Sequence, residues 1–263
     1  MTARGRTAPG LVTTVEDGDR RRRPDRLVVE EPMLLRLDGH PVSTTMRTPG
    51  HDYELAVGFC FTEGLLAGAP VRTVRYCALG PASETDFNVV EVTSGGAPVP
   101  VARLGTTTSS CGLCGTASIE TLQARLRPLA GSVAVDAAVL AGVADRVRDA
   151  QPLFAATGSA HAAAAFDPAT GDVDLVREDI GRHNAVDKVV GRLLLDGRLP
   201  AAGRGLFVSG RASFEIVQKA WAAGFGLVAA VSGPSALAVA TARAANLTLV
   251  GFLRHGSLNL YAP

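Results

Sequence analysis

The sequence predicts an α/β protein with a smaller α+β portion at its N-terminal end. Two observations carry the α/β part. "GLFVSGRASFEIVQKAWAAG" (205–224) and "GLVAAVSGPSALAVATARAAN" (226–246) repeat one local pattern of apolar strand, Ser-Gly turn and helix. "LTLVGFL" (247–253) then adds a third strand. Strands alternating with helices over short links imply a parallel sheet with right-handed crossovers. The third observation concerns residues 26–106, where a single helical pattern stands among several short strand patterns.

The elements read in order as follows. Residues 1–25, rich in Arg, Gly, Thr and Pro, read as a disordered basic arm. Residues 27–47 read as two strands joined at Asp38-Gly39, a hairpin signal. "HDYELAVGFCFTEGLL" (51–66) reads as a helix with Asp52 as its N-cap. Short strands are expected over 71–79, 87–93 and 99–104. A glycine-rich loop carrying Cys111 and Cys114 follows and leads into "TASIETLQARLRPL", a helix with Ile119, Leu122 and Leu126 on its apolar face. A helix over 135–150 precedes a strand pair over 161–179 with its turn at Thr170-Gly171. A further helix begins near Gly181 and stops at Gly197. The expected organisation is the arm 1–25, the α+β portion 26–106, and an α/β domain 107–263 reached through the cysteine loop.

With 263 residues and 47% hydrophobic content, the chain can bury a sizeable core. A formal net charge of +1 gives no field to gather nucleic acid or a membrane surface. The run "RRRRP" at 20–24 reads as solvated charge. "MTARGRTAPG" has no apolar leader, and the apolar stretches are broken by Arg243 and Asn246, too short to span a bilayer. A cytoplasmic setting with reduced thiols is expected. Four cysteines are too few for a disulfide scaffold. Cys60 and Cys77 have apolar neighbours and are expected to be buried thiols.

That leaves Cys111 and Cys114 for chemistry. A structural zinc needs about four ligands, and no second CxxC or HxxxH is present. The zinc deaminases pair H-x-E with P-C-x-x-C. Here the cysteine pair precedes "HAA" at 161–163, with Ala163 where the Glu is required and Ser110 where the Pro is. No metal site is expected. Two readings stay open: a dithiol exchanging electrons, or a thiolate that holds a sulfur atom as a persulfide and delivers it.

Several other residues stand out. Helix N-termini near Arg211 and Pro234–Ser235 should emerge at one sheet edge and suit an anion; ordinary tight turns capped by Ser213 and Ser235 are the plainer reading. His183 with Asp187, and Asn184 with Lys188, are i,i+4 pairs on one helix. They read as a solvated polar face, or as a cofactor or dimer contact. His161 reads as a hydrogen-bonded core or dimer residue rather than a base. Lys219 reads equally as a surface charge or an anion partner.

Taken together, "SSCGLCG", "EDIGRHNAVDKVVG", "FVSGRASFEIVQKAWAAG" and "GFLRHGSLNLYA" resemble the FdhD family of formate dehydrogenase accessory sulfurtransferases, over roughly residues 30–262. The resemblance implies a cytidine-deaminase-like fold without the catalytic zinc, assembled as a homodimer. It implies a sulfur carrier that takes sulfur from a cysteine desulfurase as a persulfide on Cys111, with Cys114 assisting or resolving. The sulfur then passes to the molybdenum cofactor, a bis(molybdopterin guanine dinucleotide), before that enters formate dehydrogenase. The segment implied to bind the cofactor is Phe252, Leu253, Arg254, His255, Gly256 and Ser257. Ser257-Leu258 stands where a basic residue and a methionine are expected in relatives, which implies a weaker phosphate grip. A thiol–disulfide oxidoreductase and a cofactor-binding chaperone with incidental cysteines are the alternatives.

Overall fold

The computed structural model describes residues 5–76, 87–100, 106–107, 126–131, 133–254 and 257–263. The expected disordered arm is instead a long antiparallel hairpin, β1 (Thr7–Glu16) and β2 (Asp19–Val28). Its turn is Asp17-Gly18, both at positive φ (51° and 88°), as a two-residue hairpin requires. Asp17-Gly18 is the same turn dipeptide as Asp38-Gly39, and the arginine run beside it belongs to a strand. Along a strand such a run alternates faces, and Arg20 to Arg23 are all exposed. The hairpin is tied down at its base, where Val29 N–H donates to the Arg6 carbonyl (2.9 Å) and the Arg6 guanidinium donates to the Glu178 carbonyl (3.3 Å).

The second hairpin forms as expected, β3 (Glu31–Leu37) and β4 (His40–Arg47). Helix α1 (Asp52–Thr62) follows, but His51 in the left-handed conformation takes the cap position. Asp52 is the first helical residue, and its Oδ1 accepts from Gly50 N–H while the carboxylate pairs with the buried Arg47. β5 (Val71–Tyr76), β6 (Val89–Ser94) and β7 (Thr106–Thr107) complete a five-stranded sheet ordered β5-β6-β3-β4-β7. Of the strand expected over 99–104, residues 99 and 100 are irregular and the rest lie outside the described residues. Met33, Leu35 and Leu37 of β3 alternate inward and pack on Leu55, Val57 and Cys60 of α1. Burial pushes the Cys60 thiol up to about 12, so it is an inert core side chain.

The second half has helices α2 (Ala137–Asp149), α3 (Pro152–Thr157), α4 (Arg182–Leu195), α5 (Phe214–Ala223) and α6 (Ala236–Ala245). Its strands are β8 (His161–Phe166), β9 (Val173–Asp179), β10 (Gly205–Val208), β11 (Leu227–Ala230), β12 (Thr248–Arg254) and β13 (Ser257–Ala262). They form one sheet ordered β13-β12-β11-β10-β8-β9. β10, β11 and β12 are mutually parallel, as the repeated strand–helix pattern requires; β8, β9 and β13 are antiparallel additions. β10 and β11 are buried throughout, the signature of strands covered on both faces. Alternation along β8 divides the core. Ala163 and Ala165 face α4, α5 and α6, while Ala162, Ala164 and Phe166 face α2.

The two sheets are joined where α1 packs on α4. Gly58 and Gly191 meet backbone to backbone, and neither position has room for a Cβ. The polar residues of α4 line this junction. His183, Asn184, Asp187 and Lys188 are all buried, so the solvated-face reading of that helix is corrected. Lys219 is likewise buried, not a surface charge, and its ammonium binds Asp187, Glu63 and Thr62.

Candidate functional site

The parallel strands end in three turns laid side by side. Ser232 N–H donates to the Gly210 carbonyl (3.3 Å), Ser235 N–H to the Ala212 carbonyl (3.1 Å), and Phe252 N–H to the Ser232 carbonyl (3.3 Å). The two Ser-Gly turns and the end of β12 therefore share one edge, as the sequence implied. Ser235 caps α6, its Oγ accepting Ala238 N–H at 3.1 Å. Ser213 sits at the cap position of α5 but makes no side-chain cap bond. Its Oγ lies 3.3 Å from His183 Nε2, linking the first turns of α4 and α5.

The start of α4 is held by a buried carboxylate. Asp179 Oδ1 accepts from Gly181 N–H (2.8 Å) and Asn184 Nδ2 (2.9 Å). Its Oδ2 accepts from Thr48 N–H (3.2 Å) and pairs with Lys188 Nζ (2.7 Å). Thr48 and Lys188 thus fasten the end of β4 to the "EDIGRHN" turn, and a buried charge with this many donors is satisfied. His183 also lies 3.7 Å from Glu215, whose carboxyl the His183 hydrogen bond holds down at about 2.

Beside this edge lies a cleft of about 960 Å³. Its wall combines strand ends (His161, Ser209, Leu253, Arg254) with residues of α2 and α3, including Arg148 and Phe154. β8 runs antiparallel to β10, which puts the first residue of β8 against the turn after β10. Ser209 fixes the join: its N–H donates to the Ala162 carbonyl (2.9 Å) and its Oγ accepts Ala162 N–H (2.9 Å). His161 Nδ1 lies 3.4 Å from the same Oγ. Burial, then the charges of Arg182 and His183, hold the His161 imidazole below its usual range. It is hydrogen-bonded at the cleft wall but only half-buried, not a core residue. Arg148 and Arg254 form no ion pair with the described residues, and Asp145 lines the same cleft.

Sequence-predicted site residues fall into three groups. Arg254 and Leu253 reach the cleft, the arginine exposed and the leucine buried in the core beneath it. Phe252 adopts a positive φ of 52°, its ring lies against Gly233, and it does not line the cleft. Ser257 opens β13, paired with Arg254. Cys111, Cys114, His255 and Gly256 lie outside the described residues, as does Cys77. Sequence reasoning missed Ser209, Arg148 and Phe154 as cleft residues. Ser209 stood within the quoted "SGRAS". "QPLF" carried the one local signal for α3, a proline at the first helical position.

The chain matches the FdhD/NarQ family over residues 28–263. Among curated proteins it is 48% identical to the sulfur carrier protein FdhD of Mycolicibacterium paratuberculosis, covering 97% of this chain and 96% of that one. It is also 48% identical to the protein of the same name from Streptomyces avermitilis (95% and 92%), and 47% identical to that of Mycobacterium tuberculosis (91% and 90%). Among solved structures it shares its fold with a crystal structure from Desulfotalea psychrophila described as a formate dehydrogenase accessory protein, at a TM-score of 0.77 and 22% identity, covering 98% of each chain. A likeness of 48% over nearly the whole of both chains is far more than a shared architecture, and the chain belongs to the FdhD/NarQ family.

Proposed function

We propose that this protein is a cytoplasmic sulfur carrier for formate dehydrogenase maturation. The observation that carries the reading is the near full-length likeness to proteins named sulfur carrier protein FdhD. Cys111 is the carrier: its thiolate attacks the outer sulfur of a cysteine desulfurase persulfide, the persulfide S–S bond breaks, the desulfurase cysteine leaves as a thiolate, and Cys111 becomes Cys–S–SH. Cys114, three residues on, assists release or resolves the bond. The acceptor is the molybdenum cofactor in its bis(molybdopterin guanine dinucleotide) form, bound as a substrate.

The cleft supports the acceptor reading. Ligands of open parallel sheets bind beyond the carboxyl ends of the strands, and this cleft lies there. Its volume is in the range of small-molecule sites. Arg254 and Arg148 suit phosphate oxygens, with Arg254 capable of a charge-assisted contact. The sheet order, with an antiparallel strand pair beside three parallel strands, supports a cytidine-deaminase-like description of this half. A homodimer would offer two such clefts to the two guanosine diphosphate halves of one cofactor.

Mass spectrometry after incubation with a cysteine desulfurase and cysteine tests the reading. A one-sulfur adduct on Cys111 is expected. A Cys111–Cys114 disulfide as the sole product, with no sulfur drawn from the desulfurase and none released as sulfide, would favour a thiol–disulfide oxidoreductase instead. Cofactor binding and full maturation activity without either cysteine would favour a chaperone.

A further inference from the structure

The cleft wall combines an exposed aromatic ring with arginines. We propose that Phe154 is the platform on which the flat heteroaromatic ring of a nucleotide stacks, with the phosphates directed to Arg254. This rests on the nucleotide-binding reading of the cleft.

Phe154 is 42% exposed and lines the cleft. Phe207, the other phenylalanine on the wall, is 2% exposed and packed into the sheet core. Among the described residues, Phe154 is therefore the lining phenylalanine with an exposed ring. Its backbone is fixed at both ends. The buried Glu178 carboxylate accepts Phe154 N–H at 2.7 Å and Leu153 N–H at 3.0 Å. The Phe154 carbonyl accepts Gly158 N–H at 2.7 Å, where the left-handed glycine ends α3. Leu153, one residue back, is buried and anchors the helix. With the backbone held, only the two side-chain torsions of Phe154 are left to order when a ring binds. An open aromatic face takes any flat π-system by stacking, while arginines on the same wall favour phosphate. A ring without phosphate, or phosphate without a ring, satisfies half of this wall. A base–phosphate ligand satisfies both.

The test is isothermal titration of the full-length protein with GDP and with pyrophosphate, for wild type, Phe154→Ala and Phe154→Trp. The expected result for Phe154→Ala is a loss of about tenfold or more in GDP affinity, within the range of single-base stacking. Pyrophosphate binding should not change, and Phe154→Trp should restore GDP binding. Undiminished GDP affinity in Phe154→Ala overturns the stacking role while leaving the cleft as a nucleotide site. An equal loss of pyrophosphate binding also overturns it, by showing that the ring only supports the wall. A wild type that binds neither ligand removes the nucleotide reading of the cleft and this proposal with it.

Discussion

Gly58 of α1 and Gly191 of α4 face each other where the helices cross. A Cβ built at Gly58 would stand 2.7 Å from the carbonyl carbon of Asp187 and closer still to its oxygen; one at Gly191 would meet the Glu54 carbonyl in the same way. This contact brings the five-stranded sheet and the six-stranded sheet together. It also sets how Asp187 on α4 meets Thr62 on α1, at 2.8 Å.

Gly58→Ala and Gly191→Ala should each destabilise the protein by about 2 kcal/mol or more, since the obstructing atoms are backbone and cannot rotate away. Alanine's better helix propensity returns only about 1 kcal/mol. Thermal and urea denaturation measure the net effect. A stability equal to wild type in either variant would show that the helices can separate without cost.

Lys219→Met should cost about 3–5 kcal/mol, because it leaves buried carboxylates without their cation. Burial alone would lower the Lys219 pKa; the carboxylates of Asp187 and Glu63 more than offset it and hold the ammonium above the usual lysine range. The double variant Lys219→Met/Asp187→Leu should recover part of the loss. A double-mutant cycle in urea reads the coupling, and strict additivity would argue against a mutual dependence.

Acid should weaken the α1 junction through Glu54. Burial by itself would raise this carboxyl, but hydrogen bonds from Arg177 and His51 hold it down at about 2, against an ordinary 4.5. A depressed carboxyl favours the folded state fully above the ordinary value, and the contribution is lost as pH falls from about 4.5 toward 2. Glu54→Gln should therefore be less stable at pH 7 and show a flatter acid limb in urea denaturation. An acid limb as steep as wild type would place the titration elsewhere.

Arg254→Ala should weaken GDP and pyrophosphate binding alike by about ten- to a hundredfold, the range of a charged hydrogen bond. Calorimetry measures both ligands. Unchanged affinity would make Arg254 a surface cation at the cleft mouth.

Cys111→Ala should abolish formate dehydrogenase maturation, whereas Cys114→Ala should only weaken it, because one nucleophile must hold the sulfur. Formate dehydrogenase activity in a deletion strain carrying each variant is the readout. Full rescue by Cys111→Ala would sink the carrier assignment.

What the sequence determined on its own was local. The strand, Ser-Gly turn and helix repeats at 205–246 placed the parallel strands, and Asp38-Gly39 placed a hairpin, because a turn dipeptide or an apolar period acts within a few residues. The shared edge of "SGRAS" and "SGPSA" was legible for the same reason. The tertiary structure alone decided which polar faces are wet. His183, Asn184, Asp187 and Lys188 form a helical stripe that resembles a solvated one. They are buried because Thr48, Thr62 and Lys219 reach them from segments as far as 140 positions away in the chain. The cleft is decided the same way. Phe154, His161, Ser209 and Arg254 share a wall only because β8 runs antiparallel beside β10 and Glu178 pins α3 next to them. Hydrophobic periodicity records which side of an element is apolar. It does not record which distant charge will arrive to satisfy the other side, and that pairing determines both the burial of α4 and the shape of the site.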